Sequence, residues 1–166
     1  MRSWIHSWRV RLRCEQGASA VEMAFSCTVL FCVLFGICEM SIVMYDYQFC
    51  SSAARQATRY AMVRGSTSCT NTPNLSNCGA TTGNITTYVR ALGYAGIKSS
   101  SVTATTTWCS ASSTTPTTWG SCSNATSNAP GNLVKVAVSY PFTFHIPFGP
   151  NLSLSLSSTS QMVITQ

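Results

Sequence analysis

Gly17-Ala18-Ser19-Ala20-Val21-Glu22-Met23-Ala24-Phe25-Ser26-Cys27-Thr28-Val29-Leu30-Phe31-Cys32-Val33-Leu34-Phe35-Gly36-Ile37-Cys38-Glu39 decides how this chain is built. A glycine is followed five residues later by a carboxylate, and 16 residues without a charge then run from Met23 to Cys38. Sixteen is short for a membrane span of about 20 residues. Extension from Ala18 to Met44 makes the segment long enough, at the cost of enclosing Glu22 and Glu39. Its large apolar side chains contribute about −4 kcal/mol to insertion, against about +3 for one acid at the centre. One acid is tolerable, two central ones are not, so both glutamates belong near opposite membrane faces or beside a partner.

Working back from Gly17, Arg2, Arg9, Arg11 and Arg13 outweigh Glu15. A basic flank before the span predicts an amino end inside and a carboxyl end outside. A removed secretory signal has a hydrophobic core of about 7–15 residues and small residues at the cut. Here the apolar stretch is longer and runs directly into amphipathic helix. A plain uncleaved anchor is the remaining simple alternative. The layout of a basic leader, Gly17, Ala18, Glu22 and a retained apolar helix resembles a type IV prepilin, clipped after Gly17 on the cytoplasmic side.

Working forward, Tyr45, Phe49, Ala53, Ala57 and Tyr60 recur at spacings of four and three, while Gln48, Ser52, Arg55 and Arg59 mark a polar face. No proline or glycine interrupts residues 37–64. The spacing predicts one helix over residues 18–64, on the order of 70 Å long. It would be membrane-embedded over about 18–44 and exported over about 45–64.

Residues 65–166 have a different composition. Serine and threonine supply 37 of them, an unusual share. Residues 66–83 read as a loop. Asn84 to Gly96 reads as a short helix capped by Asn84, with Ile85, Tyr88, Val89 and Leu92 on one face. Ser101 to Cys109 reads as a strand, and residues 110–131 as a polar excursion. Val134, Val136, Val138 and Tyr140 alternate with Leu133, Lys135, Ala137 and Ser139. Pro141, Pro147 and Pro150 read as a connection, after which Leu152, Leu154 and Leu156 alternate with serines. Two alternating strands predict an antiparallel pair with one face covered by helix. The expectation is an α+β, pilin-like fold: a long N-terminal transmembrane helix extending into a small antiparallel-sheet exported domain.

Nine cysteines divide between these regions. Cys27, Cys32 and Cys38 in the apolar run read as small buried hydrophobes. Cys69, Cys78, Cys109 and Cys122, if exported, read as a disulfide framework with three possible connectivities, of which local pairing (69 with 78, 109 with 122) is preferred. Cys14 would leave with the leader, and Cys50 is unassigned.

Composition also excludes chemistry. All four acids lie in the first 46 residues, so residues 65–166 hold neither a carboxylate pair nor a Ser-His-Asp triad. His145, the single histidine there, reads as a packed turn residue. No metal-ligand spacing or phosphate-binding glycine loop appears, and no cofactor is expected. Beyond residue 64 the only charges are Arg90, Lys98 and Lys135, too scattered for nucleic acid.

The segment Gly17 to Phe25, with Phe35-Gly36-Ile37-Cys38-Glu39 and Ser52-Ala53-Ala54-Arg55-Gln56-Ala57-Thr58-Arg59-Tyr60-Ala61, resembles TadE-like proteins, the pseudopilins of tight-adherence (Flp, type IVb) pilus systems. The later block is similar to that family's AAR-x-x-x-R-Y-A pattern. Val134 to Pro141 and Leu152 to Met162 are similar to its terminal strands. A proline usual in the early helix is replaced here by Ser26-Cys27-Thr28. The resemblance implies cleavage between Gly17 and Ala18 by a prepilin peptidase. It also implies a salt bridge from the new Ala18 amine to Glu22 of a neighbouring subunit, and a single-pass location in a bacterial inner membrane with other Tad/Flp pilins and assembly machinery as partners. The implied role is non-enzymatic. The alternative is a membrane-anchored adhesion or binding module that uses its threonine-rich loops.

Overall fold

The computed structural model describes the backbone of residues 2–109, 128–144 and 150–165, and side chains from residue 17 onward within those ranges. His145, Cys122 and most of the polar excursion, and the side chain of Cys14, lie outside the described residues. The chain divides into two compact units, Met1–Ile42 and Val43–Gln166.

The first unit is helical. Helix α1 runs from Arg2 to Met62 and so supplies this unit and the first segment of the second. The helix therefore begins within the leader, not at Ala18. Its stretch from residue 17 is long and apolar enough to cross a membrane. Val21, Phe25, Leu30, Phe31, Leu34, Phe35 and Ile37 are exposed, with no other described element covering them. Cys32 and Cys38 are likewise exposed, and Cys27 is half-buried. The expectation of buried thiols is not met among the described residues, where no element lies against them. Thr28 donates its hydroxyl to the Ala24 carbonyl at 2.8 Å, and Ser41 donates to Ile37 at 2.8 Å. Such back-bonding lets polar side chains sit in an apolar helix without an unmet donor.

The second unit is α+β. The last turns of α1 pack on a three-stranded antiparallel sheet with strand order β1-β2-β3: β1 Thr103–Cys109, β2 Leu133–Phe144, β3 Leu152–Val163. Register pairs Thr103 with Ser139 through Cys109 with Leu133, and Leu133 with Val163 through Phe144 with Leu152. The alternation read in β2 points Val134, Val136 and Val138 fully into the core, with Tyr140 and Phe142 following. Strand β2 continues through Pro141, which pairs with Ser155 instead of opening a connection. Pairing with β1 stops at Ser139, so this part of β2 has an open edge, where a missing N–H is tolerated.

The face that α1 buries consists of Asp46, Phe49, Cys50, Ala53, Ala54, Ala57, Thr58 and Ala61. Tyr45 stays largely exposed and Tyr60 half-buried, so the buried stripe is made of smaller residues than the expected one. Alanines fill this face without bulk, and the buried Thr58 hydroxyl is met by the Ala54 carbonyl at 2.7 Å. A short helix α2, Ser68–Asn71, interrupts the expected loop. Helix α3, Thr82–Arg90, adds Ile85 and Val89 to the same core. Its cap is Thr81, whose hydroxyl accepts from the Asn84 N–H at 3.2 Å, so Asn84 lies inside the helix and is not its cap. Each fully buried Ile or Val contributes about 1.5–3 kcal/mol.

Candidate functional site

Gly17 sits inside α1 with an exposed backbone, and a Cβ added there meets nothing within 4 Å. Glycine in a helix interior costs about 1 kcal/mol relative to alanine. Neither packing nor backbone geometry within this chain demands it. Ala18, the next residue, is exposed, and Glu22 lies one turn further along the same helix face, also exposed. Glu22 meets no hydrogen-bonding or ionic partner among the described residues. Glu39 is half-buried along the same apolar stretch. Gly17, Ala18 and Glu22 therefore lie within about one and a half helical turns, and Glu22 is left open among the described residues.

The carboxyl end of α1 is held firmly. Four carbonyls at a helix end lack an intrahelical donor. Here the Met62 carbonyl accepts from the Thr165 N–H at 3.2 Å. The Arg64 carbonyl accepts from the Ala80 N–H at 2.7 Å and the Asn128 side-chain amide at 3.3 Å. That amide also donates to Ala80 at 3.1 Å. Arg64 lies over the Tyr60 ring at 3.9 Å, and Tyr60 stacks on Tyr88 at 4.4 Å between centroids. The arginine–tyrosine part of the helix thus anchors the small sheet domain to the helix end. Asn128 had no signal in the sequence, since it sits in a polar, aperiodic stretch.

Cys69 and Cys78 form a disulfide with 4.8 Å between their Cα atoms. The Ser68 hydroxyl donates to the Cys78 carbonyl beside it. Cys109 is also disulfide-bonded, and Cys122 lies outside the described residues.

Cys50 is buried under β3, with its thiol 3.8 Å from the Leu156 carbonyl. Burial, reinforced by the nearby Asp46 carboxylate, pushes the thiol up to about 11. Asp46 is itself buried, 6% exposed, and burial raises its carboxyl above the ordinary range. Sequence reading missed this pair because its i, i+4 spacing is also that of any buried helix face. Among the described residues no group of three His, Cys, Asp or Glu is placed to hold a metal ion.

No curated protein and no solved structure shows a significant match to the chain. A family model does match: it is described as TadE-like protein, and it covers residues 17–59, about a quarter of the chain. The terminal strands lie outside the matched residues. The match opens on Gly17 and closes on Arg59, so the helix that carries the glycine, the early glutamate and the arginine block is similar to that of TadE-like proteins, a pilin family that is generally non-enzymatic.

Proposed function

We propose that this protein is a pseudopilin that takes part in assembling a Flp-type tight-adherence pilus. A prepilin peptidase removes residues 1–17, and the protein stays in the bacterial inner membrane by residues 18–44, amino end in the cytoplasm and sheet domain exported. The new Ala18 ammonium then pairs with Glu22 of an adjacent pilin. The carrying observation is the exposed, unpartnered Glu22 one turn after Ala18 in a helix matched by the TadE-like model. Pairing removes the desolvation penalty of each buried charge, and breaking such a pair costs about 3–5 kcal/mol. A pair that is favourable in only one axial register also fixes how neighbouring helices align.

Membrane extracts of cells with the peptidase should give an intact mass lacking residues 1–17 and an amino-terminal sequence beginning Ala18-Ser19-Ala20. A mass that retains Met1, or a terminus beyond residue 44, overturns the proposal. Glu22→Ala should leave processing intact and abolish fibres; wild-type fibre yield from that variant would remove the assembly role.

A further inference from the structure

The end of the sheet nearest Val43 leaves apolar side chains uncovered. Leu152, Leu154 and Leu156 share the inward phase of β3, yet exposure is 60%, 43% and 7% in that order. Their partners across the ladder are Phe144, Phe142 and Tyr140, and Phe144 stacks edge-on against Phe142 at 4.9 Å. Two contacts fix which end this is. The Cys50 thiol lies against the Leu156 carbonyl, and the Thr165 N–H bonds to Met62. Strand β3 therefore runs in the same direction as the helix it packs on. Going back from Leu156, Leu154 lies about 7 Å and Leu152 about 13 Å along the strand. Going back from Cys50, Val43 lies about 10 Å along the helix. Leu152 is thus level with the first turn of the second unit.

Met44, Tyr45 and Tyr47 are also exposed on that turn, on different sides of the helix and with the Tyr45 hydroxyl donated to the Ala95 carbonyl at 3.1 Å, so the rim is a girdle of apolar and aromatic side chains at one level and not a single face. No charged residue occurs in residues 140–144 or 150–157, and Asp46, the sole acid after residue 42, is buried. The outward phase of β3, by contrast, is serine, threonine and glutamine up to Val163. Val163 and Val63 are isolated exceptions at the opposite end, of the kind any surface carries.

We propose that this rim seats in the bilayer, at the boundary between headgroups and acyl chains of the outer leaflet. The placement rests on the membrane-anchored reading above, because chain continuity with the apolar segment ending at Ile42 brings the rim to a lipid surface. Tyrosine at the headgroup level and leucine or phenylalanine just below it match what such interfaces accept. The uncharged, non-polar chemistry selects lipid over an acidic or basic protein surface.

The full chain is reconstituted in phosphatidylethanolamine–phosphatidylglycerol vesicles with p-benzoylphenylalanine placed singly at Leu34, Leu152 or Thr159, and irradiated. Thr159 points outward about 23 Å beyond Leu152 along β3. Expected are lipid-sized mass adducts at Leu34 and Leu152, with the Leu152 yield at least several-fold above Thr159. Lipid capture at Leu34 without capture at Leu152 overturns the rim placement and leaves the anchor standing. Capture of a second copy at Leu152 also overturns it, in favour of a subunit interface. Absence of lipid at Leu34 takes down the anchor and the rim together.

Discussion

Residues 17–42 and residues 43–62 lie on one uninterrupted helix, yet their apolar side chains meet opposite surroundings. In the first stretch the large apolar groups, such as Phe25, Phe31, Leu34 and Phe35, are about half exposed or more. In the second, Ala53, Ala54 and Ala57 are completely buried under the sheet. Apolar content alone does not separate the two environments. Partners do: the first stretch displays its bulk where no described element covers it, whereas the second buries Phe49 and a run of alanines against its own sheet domain. Polar groups separate less cleanly: Thr28, Ser41 and Thr58 all fold back on their own helix, while Ser52 reaches the Tyr94 hydroxyl at 3.2 Å.

The sharpest way to break this contrast is at the leader boundary, where the first stretch begins. Gly17→Leu should block processing completely, so that intact mass shows only the uncut chain, although a Cβ added at that position meets nothing within 4 Å. Normal processing of that variant would mean the glycine is not read by the peptidase. A second test exchanges size between the stretches. Ala57→Leu overpacks the helix–sheet contact and should cost about 1–3 kcal/mol, or more if the backbone cannot shift, as read by thermal unfolding. Val33→Leu, at a 54% exposed site, should stay within about 0.5 kcal/mol. Equal effects would erase the distinction.

The disulfide comes next. Cys69→Ser with Cys78→Ser should destabilise the second unit by about 2–3 kcal/mol in denaturant titrations, the chain-entropy value for so small a loop. The smallest effect concerns Cys50. Its thiol titrates near 9.0 when unfolded and is pushed up to about 11 when folded. Between those values the unfolded chain has lost its proton and the folded one has not, so stability falls as pH rises from about 9 toward 11. Cys50→Ala should remove that part of the slope, measured as the difference between the two pH profiles of unfolding. Identical profiles would show the thiol is not held neutral by the core.

Much of this was legible because it was periodic. The long helix, the alternation in β2 and the leucines of β3 all announce themselves by spacing, and their pairing in an antiparallel sheet follows. What escaped was set by tertiary neighbours. Pro141 looks like a break until β1 is seen to stop at Ser139. Thr81 and Asn84 are both good caps, and only the backbone decides that Thr81 accepts the bond. Tyr45 belongs by spacing to the buried stripe, but the helix turns Asp46 inward instead. Gly17, Ala18 and Glu22 were readable as a motif, whereas the open space around Gly17 shows only in the fold.

The common direction of β3 and the helix beneath it also governs how the second unit bears load. Traction applied at Val43 along the helix axis is met by Thr165 holding Met62 and by Ala80 and Asn128 holding Arg64. From there it spreads into the twelve paired positions of β2 and β3, whose hydrogen bonds lie across the line of pull. Those bonds are strained in shear and must yield together, instead of unzipping one after another, so this geometry resists extraction far better than a sheet peeled from its edge.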